Sequence, residues 1–159
     1  VHISILAVGR LKEKYLVDAL QEYLKRLRAY ARVEIKEVAD QGYNEGISAA
    51  LEEEVKKKEA LRLEKHIKQD TLLVALDREG EELTSGELAD WLSSLALRGK
   101  SHVTFLIGGS LGLTREIQSR ADRRLSFSRL TFPHQLMRVL LLEQIYRSFK
   151  IIKGEPYHK

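Results

Sequence analysis

Apolar residues along this chain alternate between short runs and stripes at helical spacing. Ile3 to Val8 is an apolar run closed by Gly9, and Leu16, Leu20, Tyr23, Leu24 and Leu27 then recur three and four apart. A strand followed by an amphipathic helix is the expected reading. Val33 and Ile35 alternate with Glu34 and Lys36 as a second strand, and Gln41-Gly-Tyr-Asn-Glu-Gly46 is a loop by its turn residues. A long charged helix comes next, with Glu52, Glu53 and Glu54 each four residues before Lys56, Lys57 and Lys58. Glu-to-Lys in that order contributes about 0.3 kcal/mol per exposed pair, so this is a solvated face. Thr71 to Leu76, apolar almost throughout, reads as a third strand covered on both sides and ended by Asp77-Arg-Glu-Gly80.

Thr84 and Glu87 have the spacing of a capping box, Leu88, Trp91, Leu92 and Leu95 form the inner stripe of the helix they open, and Gly99 stops it. Val103 to Ile107 is a fourth strand, followed by a turn at Gly108, Gly109 and Gly112. Thr114 caps a short helix over 115–121, Leu125 to Phe127 is a brief fifth strand, and Pro133 suits the first turn of a last helix. The order predicts an α/β fold, a mostly parallel sheet flanked by helices, in one domain over 1–159. Leu136, Met137, Val139 to Leu142, Ile145, Tyr146 and Phe149 cover more than one stripe of the last helix. Such a helix is either central to the domain or meets a second copy of itself. The terminal position in a small chain favours a homodimer interface.

Composition narrows the chemistry. The chain has 159 residues and no cysteine, which excludes disulfides, thiolate metal sites and a cysteine nucleophile. No apolar stretch reaches the ~18 residues of a membrane span, and the opening run lacks a signal peptide's basic leader, so a soluble cytoplasmic protein is expected. The net charge of +4 is uneven: residues 1–114 sum to −2, and residues 115–159 to +6. A basic segment of this kind is either a solvated surface or a nucleic-acid footprint.

The glycine turn, Phe105-Leu-Ile-Gly-Gly-Ser-Leu-Gly-Leu113, and the block Leu125-Ser-Phe-Ser-Arg-Leu-Thr-Phe-Pro-His-Gln135 are the candidate site. There is no nucleoside-triphosphate loop, the G-x-G-x-x-G spacing fails, and the G-x-x-G of Gly109 to Gly112 follows a strand where an RNA-binding KH loop joins two helices. The five histidines lie far apart without metal-ligand spacing, so no metal is expected. Ser110 lacks the nucleophile-elbow pattern of a hydrolase. What remains is a cradle that binds an uncharged or cationic ligand through backbone, such as an adenine with its ribose. The same pattern reads equally well as core packing around a tight turn.

These two segments, together with Glu143-Gln-Ile-Tyr-Arg147, the terminus Gly154-Glu-Pro-Tyr-His-Lys159 and the opening Ile5-Leu-Ala-Val-Gly-Arg-Leu-Lys-Glu-Lys-Tyr15, resemble the bacterial large-subunit ribosomal RNA pseudouridine N3-methyltransferases of the SPOUT class. The resemblance covers the whole chain. It implies a deep trefoil knot over about residues 71–159, against the general rule that chains do not thread loops. It also implies that Leu76, Gly108, Phe127, Ser128, Arg129, Leu130, Thr131 and Phe132 bind S-adenosylmethionine, largely through main chain.

By the same resemblance the substrate is 23S ribosomal RNA within the ribosome. Tyr157, His158 and Lys159 are assigned to substrate binding as a tail able to close over RNA, with His158 the candidate catalytic base. His134 and Arg138 either hold RNA phosphate or form an ordinary helix surface. Arg115, Arg120, Arg123, Arg124 and Arg129 surround the cofactor loop in sequence and would add phosphate contacts. A SPOUT enzyme acting on another RNA and a ribosome-associated RNA-binding module without catalysis stay open, since fold does not fix function.

Overall fold

The computed structural model describes all 159 residues. Chain order is β1 (His2–Val8), α1 (Lys14–Leu27), β2 (Arg32–Val38), α2 (Ala49–Glu64), β3 (Leu72–Glu82), α3 (Ser85–Leu97), β4 (His102–Ile107), α4 (Arg115–Arg120), β5 (Arg123–Ser126) and α5 (His134–Lys153). The strands form one sheet in the order β2-β1-β4-β3-β5, and every pair is parallel. The expected α/β architecture is therefore present.

Both sheet faces are covered, which is why the strands read as apolar runs. Ile3, Ile5 and Ala7 of β1 and Val103, Phe105 and Ile107 of β4 point to one side, against α1, α3 and α5. Leu6 and Val8 of β1, Leu106 of β4 and Leu73 and Ala75 of β3 point to the other, with Ala60 and Leu63 of α2 and Ile117 of α4. Alternate residues of a strand face opposite sides, so one run supplies both cores.

Helix α5 lies between α1 and α3, with Leu141, Leu142 and Ile145 completely buried. Full burial of such a side chain stabilises the fold by about 1.5–3 kcal/mol. The breadth of its apolar surface is thus used within the chain: of the two readings that the pattern left open, the helix is central. It ends at Gly154, whose φ of 65° lies in the left-handed region.

Helix starts follow the sequence closely. Thr84 and Glu87 form both halves of the capping box, Thr114 Oγ1 accepts from Ile117 N at 3.2 Å, and Ser48 Oγ accepts from Leu51 N at 3.2 Å. Pro133 sits one position earlier than expected, as the residue before α5. On α2 the i, i+4 pairs give way to one i, i+3 pair, Lys56 with Glu53 at 2.9 Å.

The largest departure is β3, expected to end at Leu76 and in fact running to Glu82. Leu125 of β5 pairs with both Leu76 and Glu81, so residues 77–80 form a bulge within the strand. Asp77-Arg-Glu-Gly80 has the composition of a strand end, and partners supplied by β5 override it. Arg123 donates to Glu81 and Arg124 donates to Asp77. Gly80 is required because a Cβ there would lie 2.8 Å from the Arg124 carbonyl carbon.

Candidate cofactor and substrate site

A cavity of about 370 Å³ opens at the carboxyl ends of β3, β4 and β5. That edge is where open α/β sheets hold ligands, and the size lies in the ~300–1,000 Å³ range of small-molecule sites. Leu76, Ile107 and Leu125 close its base. The glycine turn forms one wall and the loop after β5 the other.

Each glycine of the turn has a separate steric reason. A Cβ on Gly108 would lie 2.7 Å from the carbonyl carbon of Gly112, and Gly112 itself has a φ of 86°. Gly112 N donates to Gly109 O at 3.0 Å, which folds the turn back on itself. Behind Gly109 stands Glu59, with Oε1 3.1 Å from the place a Cβ would take. Glu59 is buried; its Oε2 accepts from Gln41 N at 2.9 Å, while Oε1 has no partner. Burial pushes its carboxyl above the usual range, and the Gln41 bond only partly opposes this. The loop after β2 is tied to the same turn by a 2.7 Å hydrogen bond between the Tyr43 and Ser110 hydroxyls.

The opposite wall is held by local bonds. Ser126 Oγ donates to Ser128 O at 3.2 Å, Leu130 N donates to Ser128 Oγ at 3.0 Å, and Arg78 reaches across from the β3 bulge to donate to Thr131 Oγ1. Leu76, Gly108, Phe127, Ser128, Leu130, Thr131 and Phe132 all line the cavity. Arg129 does not: its side chain is exposed and points toward Glu82, at 3.8 Å.

Two further expectations change. Arg138 is completely buried, donating to Val8 O at 3.2 Å, Gly9 O at 3.0 Å and Glu37 Oε2 at 2.7 Å. It clamps the end of β1 to α5 and cannot meet RNA phosphate. Arg123 and Arg124 are spent on Glu81 and Asp77, and Arg123 also lies over the Trp91 ring at 4.9 Å. The +6 of the last segment therefore overstates its free positive charge, although Arg115 does stand on the cavity rim.

His134 is half-buried and lines the cavity. Its Nε2 lies 3.5 Å from where a Cβ of Gly9 would be, and Gly9 has a φ of 93°. Burial holds its pKa below the ordinary value, the Arg138 charge lowers it further, and Asp40 partly opposes both. A ring kept neutral is a poor phosphate clamp.

The terminal residues form a docked segment. The Tyr157 hydroxyl donates to Glu143 Oε1 at 3.0 Å, and its ring meets that of Tyr146 edge-on at 4.9 Å. Burial and the Glu143 carboxylate push the phenol up to about 12. His158 Nδ1 lies 3.1 Å from Arg147 Nη1, and Lys159 is exposed. Arg147 is about 15 Å beyond Met137 along α5, at about 1.5 Å per residue, whereas Met137 touches the cavity. Within one chain the tail and the cavity are thus apart.

Lys56, Asp77, Arg78, Glu79 and Gln118 also line the cavity and were missed by the sequence reading, which did place Arg115 near it. For Asp77 to Glu79 a signal existed, since they follow an apolar run at a strand's carboxyl end. No local pattern marks Lys56, which reaches the site from α2. No group of three or more His, Asp or Glu gathers as a metal site, and no helix is long and apolar enough to cross a membrane.

A parallel sheet with a cavity beside a glycine turn at its strand ends defines an α/β protein with room for a small molecule, and comparison with known proteins specifies the family. A family model described as "Predicted SPOUT methyltransferase" matches residues 1–158, so the chain belongs to the SPOUT methyltransferase family. Proteins named ribosomal RNA large subunit methyltransferase H are similar over nearly their whole length. The one from Acetivibrio thermocellus is 55% identical over 157 residues, 99% of both chains. Those from Desulfitobacterium hafniense and Bifidobacterium adolescentis are 54% and 55% identical, each over 99% of this chain and 98–99% of its own.

Proposed function

We propose that this chain transfers a methyl group from S-adenosylmethionine to N3 of a pseudouridine in 23S ribosomal RNA, acting as a homodimer on assembled ribosomes in the cytoplasm. The observation that carries the reading is the convergence of three distant segments, Leu76, Gly108 to Gly112 and Phe127 to Phe132, on one cavity at the strand ends. Relatives of more than half identity are named as methyltransferases of large-subunit ribosomal RNA.

The residues fit the cofactor. Gly108 packs backbone to backbone against Gly112, and the turn they make lines the cavity, where its main-chain groups suit an adenine and ribose. Phe127, Leu125 and Met137 supply apolar surface, and Glu79 offers a carboxylate to a cationic ligand. When bound, the cofactor supplies an electrophilic sulfonium methyl. The chain's part is to orient the acceptor nitrogen, remove its proton and exclude water. The knot implied by the family resemblance belongs to this reading, as the device that brings residues 127–132 against 108–112.

The docked tail supports the dimer. With Arg147 and His158 about 15 Å from the cavity along α5, Tyr157, His158 and Lys159 serve a site only when a second copy presents them to it. Light scattering at micromolar concentration is expected to give twice the chain mass.

The deciding experiment is transfer of radiolabelled methyl to ribosomes from cells lacking the enzyme, followed by mapping of the modified nucleoside. Label at N3 of a 23S pseudouridine is expected. Label in transfer RNA or at a uridine overturns the substrate, and absence of S-adenosylmethionine binding by calorimetry overturns the enzyme.

A further inference from the structure

The sequence left the proton acceptor of the reaction to His158, which is paired with Arg147 and stands away from its own chain's cavity, so that only a second copy could bring it to a site as part of the substrate-binding tail. His134 is the one histidine of the five that lines it. We propose that His134 is the catalytic base, taking the imide proton of the target nucleoside inside the cavity. The inference rests on the reading of the chain as a pseudouridine N3-methyltransferase.

Geometry selects this ring. It stands at the start of α5, directly after the Phe127 to Phe132 wall, against the buried end of β1 at Gly9. One turn below it, Arg138 is fixed by Val8 O, Gly9 O and Glu37, so a permanent positive charge sits under the imidazole. The Asp40 carboxylate, in the loop after β2, acts on the ring with the opposite sign. These are the charged groups that face it, and no hydrogen bond within the chain contributes to its titration. The ring therefore keeps an unprotonated nitrogen for a ligand.

The other titratable side chains of the cavity are less suited. Lys56 is paired with Glu53, Asp77 with Arg124, and Arg78 with Thr131. Glu79 is a carboxylate, a weaker proton acceptor than an imidazole. A general base works best when its pKa lies near the operating pH, which among the groups here favours a neutral histidine. In the step, the N3–H proton moves to the His134 ring and the freed N3 pair forms the bond to the methyl carbon. The carbon–sulfur bond breaks with its electron pair left on sulfur, giving a neutral thioether, and the imidazolium then returns its proton to solvent.

Four measurements on the full-length protein test this: calorimetric titration with S-adenosylmethionine, the pH profile of methyl transfer to ribosomes lacking the modification, urea unfolding, and the ring proton resonances of His134. For His134→Gln, cofactor affinity within about 3-fold of wild type and a transfer rate lower by about 100-fold or more are expected. Wild type is expected to lose rate as pH falls, with a midpoint that matches the His134 ring titration; the variant's residual rate lacks that limb. Asp40→Asn, on an exposed loop, is expected to move the limb to lower pH, because it removes the charge that raises the ring's pKa. His158→Ala is expected to raise KM for ribosomes and to leave the limb in place.

A His134→Gln protein with wild-type rate and an intact limb overturns the assignment, as does one that folds but no longer binds S-adenosylmethionine. If the variant does not fold, an Asp40→Asn limb that stays where wild type has it overturns the assignment instead. A wild-type protein that binds the cofactor and methylates no pseudouridine overturns the proposed function itself, a result distinct from either.

Discussion

Arg138 Nη1 and Glu37 Oε2 lie 2.7 Å apart, joining the last helix to the second strand over the end of the first. The two carbonyls of Val8 and Gly9 take the remaining donors on the same side, and Nε is left without a partner. The guanidinium is thus a strut between the core and the floor beneath His134.

Loss of that strut is expected to be costly. Arg138→Ala strips the donors from the Val8 and Gly9 carbonyls, and each buried polar group left unpaired costs about 1–3 kcal/mol, whereas the partly exposed Glu37 can be hydrated instead. Arg138→Met, which fills the volume, is expected to cost less. Urea unfolding of the two variants checks the order, and equal stability of Arg138→Ala and wild type would show that the strut contributes nothing.

Gly108→Ala inserts a methyl 2.7 Å from Gly112 backbone, which cannot rotate aside as a side chain would. Overpacking of this kind costs about 1–3 kcal/mol. Since the strain falls on the cavity wall, S-adenosylmethionine affinity is expected to drop at least 10-fold. Calorimetry beside a thermal melt separates the two effects.

Tyr157 carries a phenol raised to about 12, first by burial and then by Glu143. A folded pKa above the unfolded value of about 10 means that the docked tail's contribution is complete below pH 10 and is lost as pH rises from 10 to 12. Tyrosinate absorbance of wild type minus Tyr157→Phe is expected to show a component titrating near pH 12. A component near pH 10 would mean that the tail is free.

At the amino ends of β1 and β4, His102 stacks on His2 with ring centroids 4.4 Å apart and bonds Ser4 Oγ at 2.9 Å. Burial first, then the charges of His2 and Lys68, lower its pKa from the ordinary 6.5, with Glu34 opposing. Its folded value is depressed, so its contribution to stability is complete above pH 6.5 and is lost as pH falls through that lower value. Stability from urea unfolding is expected to fall more steeply with acid in wild type than in His102→Gln. Parallel curves would count against a strained histidine pair.

Local patterns in the sequence carried the elements well, because the forces behind them are local. The Thr84–Glu87 box, the Thr114 cap and the Gly99 stop each depend on backbone groups within a few residues, and each is found in the structure. The buried strands were legible for a similar reason: a strand covered on both faces has no polar alternation to hide it. The bulge at residues 77–80 was not legible, since its cause is the pairing of Leu125 with both Leu76 and Glu81.

The site divides along the same line. Gly108 and the block from Phe127 to Phe132 were readable as a cradle by composition, and family resemblance named the ligand to test. Sequence by itself determined the element order and the parallel α/β class, and it singled out two segments that read equally as a ligand cradle or as core packing. Tertiary structure alone decided that Arg138 is a buried strut, that Arg123 and Arg124 are neutralised, that Arg129 turns outward and that His134 enters the cavity. The physical reason is that a side chain's charge and burial depend on partners from β1, β2 and β3, which no spacing within its own segment records.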